Sequence, residues 1–536
     1  MAGLSHEENL DAKRYEADNS GDRKKLENIR FEGRKTAKER VLSILDENTF
    51  VEIDAFVNHR SGDNNLHLHR PLGDGVIAGH GMIDGRRVVC FSQDASVFEG
   101  SIGEMHAQKI LKIFQFAEKS LLPVIAIWDG NGERPEEGIT SLGPSGQILD
   151  AMVACSGRIP MISIVMGKVT GISALAVGLS DFVIMHSLYG NMALTTDHNL
   201  SEFIMEKDTK EFSGNAENHF SRSGIACLIA EDDISALTIA SDLLSYFPDN
   251  MLSKPDVIYN DDSWDRRCVE ISDILPPNQE KPYDVRKIIE IVSDNSTFLE
   301  LFSGYASNIV VGLARLDGNS VGIIANQPSV LAGCLDIDAS VKAARFIRTC
   351  DCFNIPILTF IDVPGFLPGT VQEYGGIIKH GAKLLFAYSE ATVPKLAVVI
   401  RKAYGGAYLA MSCKHLNSDY NISWPSGELA VMGSKGAVNI IHKKELSNSK
   451  NPDIAYKKLL EDYQEKFGDP YVAAKNGWID DVIEPEMTRK NLIHALRPLL
   501  SKREWSPPKK HDNICLLYTS DAADEGLGVD LGGRRI

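Results

Sequence analysis

No C-x-x-C pair occurs anywhere in the chain, and its nine cysteines run from Cys90 to Cys515 with only Cys350 and Cys352 close together. A structural zinc site of ordinary spacing and a disulfide scaffold are both excluded, which points to a reduced, intracellular protein. Long apolar runs are missing too. The longest, Leu121 to Trp128, falls far short of the roughly 18 residues that cross a bilayer. The opening MAGLSHEENLDAKRYEAD has no apolar centre, so it reads as neither a signal peptide nor a transit peptide, and the cytoplasm is the expected location. Positive charge is scarce as well: 56 Lys+Arg stand against 73 Asp+Glu, a formal net charge of −17. This deficit argues against nucleic acid and anionic membrane as partners, which reward clustered positive charge, yet it leaves a small anionic ligand open.

Several chemical signatures are absent. There is no Walker sequence, no G-x-G-x-x-G after a strand and no G-x-S-x-G elbow, so ATP, dinucleotides and serine hydrolysis are not indicated. His59, His67 and His69 lie close together without a fourth ligand of suitable spacing, and a solvated loop is the better reading; no metal is expected. The acidic stretch Glu133 to Glu137 reads as a surface turn.

What the chain does have is 536 residues with 43% apolar and 24% charged side chains, the balance of a soluble globular protein. The last 22 residues, CLLYTSDAADEGLGVDLGGRRI from Cys515, carry no helical or strand period and resemble a translated library adapter. Residues 515–536 are therefore read as a non-native, disordered tail.

The remainder is built twice. LLPVIAIWDGNG and NIPILTFIDVPG place Pro123 and Asp129, then Pro356 and Asp362, at one offset of 233 residues. Asp84-Gly85 maps onto Asp317-Gly318 and Lys109 onto Lys342 at the same offset, while Gly171 maps onto Gly405 at 234. Upstream, DENTFVE at Asp46 pairs with DNSTFLE at Asp294 at 248, which places an insertion in the first copy around His59 to Pro71. Within each copy, short β-branched apolar runs alternate with longer stretches whose apolar residues recur at three and four, so an α/β fold with parallel strands and helical crossovers is expected. Pro, Asn and Asp crowd between about Thr195 and Pro282, where the link falls; the copies are assigned to 1–282 and 283–514.

Two repeated strand-to-helix turns carry the chemistry. MISIVMGKVTGISALAVG (Met161 to Gly178) and KLAVVIRKAYGGAYLAM (Lys395 to Met411) each run strand, basic residue, glycine turn and Ala-rich helix start. Small residues admit a ligand to the backbone, and unpaired helix-start amides aimed at a developing oxyanion make an oxyanion hole. For one such turn, glycines that only close it under a helix are the better reading; their repetition in both copies weakens that reading. DVPGFLPG (Asp362 to Gly369) and its twin DGNGERPEEG (Asp129 to Gly138) follow strands at the carboxyl end, where turn chemistry alone leaves structural and ligand roles open.

Together with FSQDASVFEGSIGEMHAQKI, NQPSVLAGCLDIDASVKAARF, DVPGFLPGTVQEYGGIIKHGAKLL and RKAYGGAY, these segments resemble the carboxyltransferase (β) subunit of biotin-dependent acyl-CoA carboxylases, most closely the propionyl-CoA carboxylase type. The likeness spans about Leu10 to Ile514. It implies two tandem crotonase-like domains, spirals of ββα units, in a homo-hexamer whose active sites lie between the N-half of one subunit and the C-half of another. It also implies an acyl-CoA substrate, and biotin carried on a partner, because no A-M-K-M attachment sequence and no ATP-using domain is present. By that resemblance Gly406 and Ala407 hold the ureido oxygen, with Pro364, Gly365, Phe366, Gly405 and Tyr408 around the biotin. Gly171 and Ile172 then hold the thioester oxygen, with Gly132, Arg134, Ser173 and Leu409 on the acyl side. The biotin nitrogen freed by loss of CO2 removes the α-proton, so no side-chain base is required.

Departures from the family pattern cluster in the first copy. Thr170-Gly171-Ile172-Ser173 stands where A-G-G-A is usual, Gly130-Asn131-Gly132-Glu133-Arg134 where S-G-G-A-R is usual, and Leu409 where an Asp is common. An unusual acyl group is the expectation. The same sites run backwards describe a biotin-dependent acyl-CoA decarboxylase subunit, and the altered first turn also fits a non-catalytic subunit that docks a biotin carrier.

Overall fold

The computed structural model describes residues 6–62, 66–195, 214–449 and 451–504; the expected tail at 515–536 lies outside them. The first sheet comprises β1 (Val51–Glu52), β2 (Val76–Ile83), β3 (Arg86–Gln93), β4 (Val124–Gly130), β5 (Met161–Thr170), β6 (Phe182–His186), β7 (Asn191–Ala193) and β8 (Leu228–Ala230). Its order is β1-β2-β3-β4-β5-β6-β8, with β7 beside the end of β5. The second comprises β9 (Phe298–Leu301), β10 (Ile309–Leu316), β11 (Asn319–Asn326), β12 (Ile357–Val363), β13 (Lys395–Tyr404), β14 (Tyr420–Ser423), β15 (Glu428–Ala430) and β16 (Asp481–Val482). It repeats the same plan, from β9 through β13 and β14 to β16, with β15 beside the end of β13. In each sheet the first two pairings are antiparallel and the others parallel. This is the expected α/β architecture of two tandem crotonase-like repeats.

Local chemistry explains why both copies fold alike. Each begins with a short amphipathic helix, Ala37–Ile44 or Val285–Val292. A carboxylate after it ties down the following hairpin: Asp46 accepts from the amides of Asp84 (3.0 Å) and Gly85 (2.8 Å), Asp294 from those of Asp317 (3.0 Å) and Gly318 (2.7 Å). Both hairpin turns have positive φ at both residues, +49° and +77° in the first and +54° and +77° in the second, as a two-residue turn matching strand twist requires. β4 and β12 are buried at every position, which is why they read as unbroken apolar runs rather than alternating ones.

The crossover helices Glu104–Ser120 and Ile337–Cys352 each carry one buried lysine, Lys109 and Lys342. One core is shared between the two sheets, joining Ile125, Ile162 and Phe182 to Ile324, Phe346 and Phe353. Phe247 bridges it, with ring centroids 5.0 Å from Phe182 and 5.6 Å from Phe353. The outer faces have separate cores beneath their own helices. In the insertion, the buried His59 spends Nε2 on the carbonyl of His69 (2.8 Å), and among the described residues no His, Cys, Asp and Glu cluster is spaced to hold a metal.

Candidate functional site

The central strands deliver the repeated turns. β13 ends at Tyr404, Gly405 turns at φ +57°, and a short helix runs from Gly405 to Leu409. Amides in its first turn have no intrahelical acceptor. A side chain on Gly406 would meet nothing within 4 Å, whereas one on Gly405 would come within 2.9 Å of the Val431 carbonyl. Gly405 is thus glycine for the backbone, and Gly406 leaves open space above the amides. Tyr408 packs into the shared core, and among the described residues its buried hydroxyl has no partner; burial holds its ionisation well above the usual range. Leu409 is 42% exposed at the end of the helix.

Beside this turn, the Pro364-Gly365-Phe366 loop is half-buried and docked on the segment around Leu335 of the same chain. The Leu335 amide donates to the Gly365 carbonyl (3.1 Å), and the Leu367 amide to the Leu335 carbonyl (2.7 Å). Asp362 anchors both pieces. Its carboxylate receives Arg401 Nε (2.9 Å), the Tyr283 hydroxyl (3.0 Å) and the Lys402 amide (3.1 Å), while the Arg401 guanidinium lies 4.5 Å over the Tyr283 ring. Burial, and then the Asp362 charge, hold Tyr283 well above the ordinary tyrosine range, so it serves as a donor.

The first-copy turn is built on the same plan and finished differently. β5 ends at Thr170, Gly171 turns at φ +62°, and the helix Ile172–Gly178 follows. The Gly132 amide donates to Thr170 Oγ1 (2.9 Å). The Ile172 amide donates to Glu133 Oε1 (3.0 Å), so this hole is capped by a carboxylate of the same chain. Gly132, Glu133, Thr170 and Gly171 line a cleft of about 870 Å3 with Lys25 and Lys168. Ser173 is fully buried, and among the described residues its Oγ has no partner.

Arg134 departs from its expected contact with substrate. Its guanidinium is 1% exposed and is held by Asp74 Oδ1 (2.9 Å), Glu137 Oε1 (2.7 Å) and the Ser101 carbonyl (3.0 Å), 4.4 Å over Phe98. It positions the turn bearing Gly132 and Glu133 from beneath, and Glu137 is an internal partner rather than a surface acid.

Sequence reasoning also missed the first-copy brace. Asp129, the equivalent of Asp362, is held by Arg34 and Arg40, both at 2.8 Å, from the N-terminal segment. Gly167 stands in the place of Arg401, where a side-chain carbon would fall 1.7 Å from Asp129 Oδ1. The fixed offset of the two aspartates was the available signal, since a buried carboxylate in each copy demands a cation.

Two tandem α/β repeats that each end a central strand in a glycine turn followed by a short helix define a crotonase-like fold. The carboxyl transferase domain family model matches residues 29–514, and the chain belongs to that family. It is a carboxyltransferase of the biotin-dependent acyl-CoA carboxylase type. The propionyl-CoA carboxylase carboxyltransferase subunit of Haloferax mediterranei is 46% identical over 507 residues, covering 95% of this chain and 98% of that one. The methylmalonyl-CoA decarboxylase subunit alpha of Propionigenium modestum is 44% identical over 493 residues, covering 92% and 95%. The crystal structure of the transcarboxylase 12S hexamer, with methylmalonyl-coenzyme A and methylmalonic acid bound, superposes with a TM-score of 0.92 at 42% identity, covering 96% of this chain and 99% of that one.

Proposed function

We propose that this subunit moves a carboxyl group from carboxybiotin on a separate carrier protein to the α-carbon of an acyl-CoA. The observation that carries this reading is the second turn: Gly405 at φ +57° delivers the Gly406 and Ala407 amides below open space. These amides donate to the ureido oxygen as charge grows there, each such donor being worth about 2.7–4 kcal/mol where removal has been measured. Pro364, Gly365 and Phe366 wall the ring in. Biotin supplies the carboxyl group and the nitrogen that accepts the α-proton. On the other side the Gly171 and Ile172 amides donate to the thioester oxygen, with Gly132, Ser173 and Leu409 bounding the acyl group. Residues 1–282 form the acyl-CoA half and 283–514 the biotin half, and a homo-hexamer in the cytoplasm brings unlike halves of two subunits together.

Likeness to a methylmalonyl-CoA decarboxylase subunit favours one second reading, the same transfer run toward the carrier. Reconstitution with a biotin carboxylase, a biotinylated carrier and labelled bicarbonate over a panel of acyl-CoA chain lengths tests both. Label is expected in a 2-carboxyacyl-CoA, with a preference for an acyl group other than propionyl. A carrier that co-purifies yet passes label to no acyl-CoA, and takes none from a 2-carboxyacyl-CoA, leaves only the docking role. An ordinary propionyl preference removes the altered-substrate expectation.

A further inference from the structure

The two holes are in different states. At the second, the residue matching Glu133 is Phe366, which has nothing to offer an amide, and Gly406 opens onto free space. At the first, Glu133 Oε1 sits 3.0 Å from the Ile172 nitrogen, and its other oxygen lies 2.9 Å from where a Gly171 side chain would begin. The carboxylate therefore lies against both residues of the hole. Its backbone is pinned: Glu133 bridges Ile102, the Ile102 amide donates to the Gly132 carbonyl (2.9 Å) and the Arg134 amide to the Ile102 carbonyl (2.8 Å). Only the side chain is left to swing. Among the described residues Glu133 takes part in no ion pair and its carboxylate is held by the Ile172 amide, while Lys168 lines the same cleft and offers a place to go.

We propose that Glu133 is a built-in competitor for the first oxyanion hole, a carboxylate latch that the acyl thioester must displace before its oxygen reaches the Ile172 amide. The inference rests on the transferase reading above. An amide N–H gives one strong hydrogen bond, and a carboxylate is a better acceptor than a neutral thioester oxygen. The thioester gains the advantage only as it becomes an enolate, so the latch weakens binding of unreacted acyl-CoA and makes turnover depend on Glu133 leaving. It acts as a filter: an acyl-CoA whose remaining contacts are poor cannot open the hole.

The test compares wild type with Glu133→Ala and Glu133→Gln in the reconstituted system. Glu133→Ala is expected to raise kcat/KM for acyl-CoA about tenfold, equivalent to about 1.4 kcal/mol, mostly through KM. Glu133→Gln, which keeps an acceptor without the charge, is expected between the two. A second readout needs no turnover: the infrared carbonyl stretch of a 13C-thioester bound in the absence of carrier. It should move to lower frequency in Glu133→Ala than in wild type, because the amide then polarises it. If both proteins bind the thioester and the alanine variant gains neither rate nor band shift, the latch is wrong while the transferase reading stands. A fall in kcat for both variants makes Glu133 part of the chemistry and overturns the latch. If neither protein binds acyl-CoA, the latch and the reading beneath it fall together.

Discussion

Replacing Lys342 by methionine probes how far the second repeat leans on one buried lysine. Its amino group donates to the carbonyls of Phe302 (2.9 Å), Tyr305 (2.7 Å), Ala306 (3.3 Å) and Ile309 (2.8 Å), stitching the loop before β10 to the crossover helix. Lys109, at the matching position of the first repeat, reaches the carbonyls of Gly73 (3.2 Å) and Val76 (2.6 Å). A buried acceptor that loses its donor costs about 1–3 kcal/mol. The Phe302 and Ala306 carbonyls also receive the amides of Tyr305 and Ile309, and Gly73 receives that of Val76, which trims both totals. Lys342→Met is therefore expected to cost about 3–5 kcal/mol and Lys109→Met roughly half as much. Calorimetry should show the larger fall in Tm for Lys342→Met, with loss of hydrogen-exchange protection centred on 302–309. Burial pushes the Lys342 amine down to about 7 and that of Lys109 to about 8, from an ordinary 10.5. Above those values and below 10.5 the unfolded chain binds more protons than the folded one, so stability from these groups rises with pH. Methionine does not titrate, and the Tm gap between wild type and Lys342→Met should widen from pH 7 toward pH 10. Equal losses at the two lysines, or a gap that narrows with pH, would refute the reasoning.

Gly406→Val is expected to leave Tm unchanged, because its side chain enters open space, while label transfer falls by about a hundredfold, the scale of losing one oxyanion donor. Unchanged turnover would remove the assigned role of the second hole. Gly405→Ala should lower both Tm and activity, since φ is +57° and the Val431 carbonyl is 2.9 Å away; a native Tm would contradict this. Arg401→Met strands the buried Asp362 charge and should cost about 3–5 kcal/mol in chemical denaturation. Arg34→Met should cost less at Asp129, which keeps the buried Arg40, and an equal or larger loss would show that the two braces differ in some other way.

The duplication was legible because strand and turn spacing is fixed by geometry: a one-residue slip turns a strand inside out, so matching residues keep their offset over hundreds of positions. The glycine turns were legible for a related reason, since positive φ demands glycine where the ligand also demands space. What escaped was side-chain direction. Arg134 and Glu133 are adjacent in sequence, yet the bridge to Ile102 sends one into the protein and leaves the other against the cleft. The contact between Glu133 and Ile172 spans 39 residues and exists only because β4 and β5 lie side by side. The Asp129 brace escaped because both of its cations come from the segment before and within the helix Ala37–Ile44, whereas the matching segment of the second copy gives Asp362 only the Tyr283 hydroxyl and leaves the cation to Arg401 on β13.

That brace also constrains what the two repeats can still become. A duplicated gene begins with interchangeable halves, and mutation can normally run in either direction. Here glycine at 167 and the pairing of Asp129 with Arg34 and Arg40 belong together: the carboxylate occupies the room that a side chain at 167 would need, 1.7 Å from its first carbon. Restoring arginine there collides with the carboxylate, and removing the N-terminal arginines first strands it. Neither change is tolerated alone, so a chimera that puts a second-copy strand into the first copy must exchange the N-terminal segment with it.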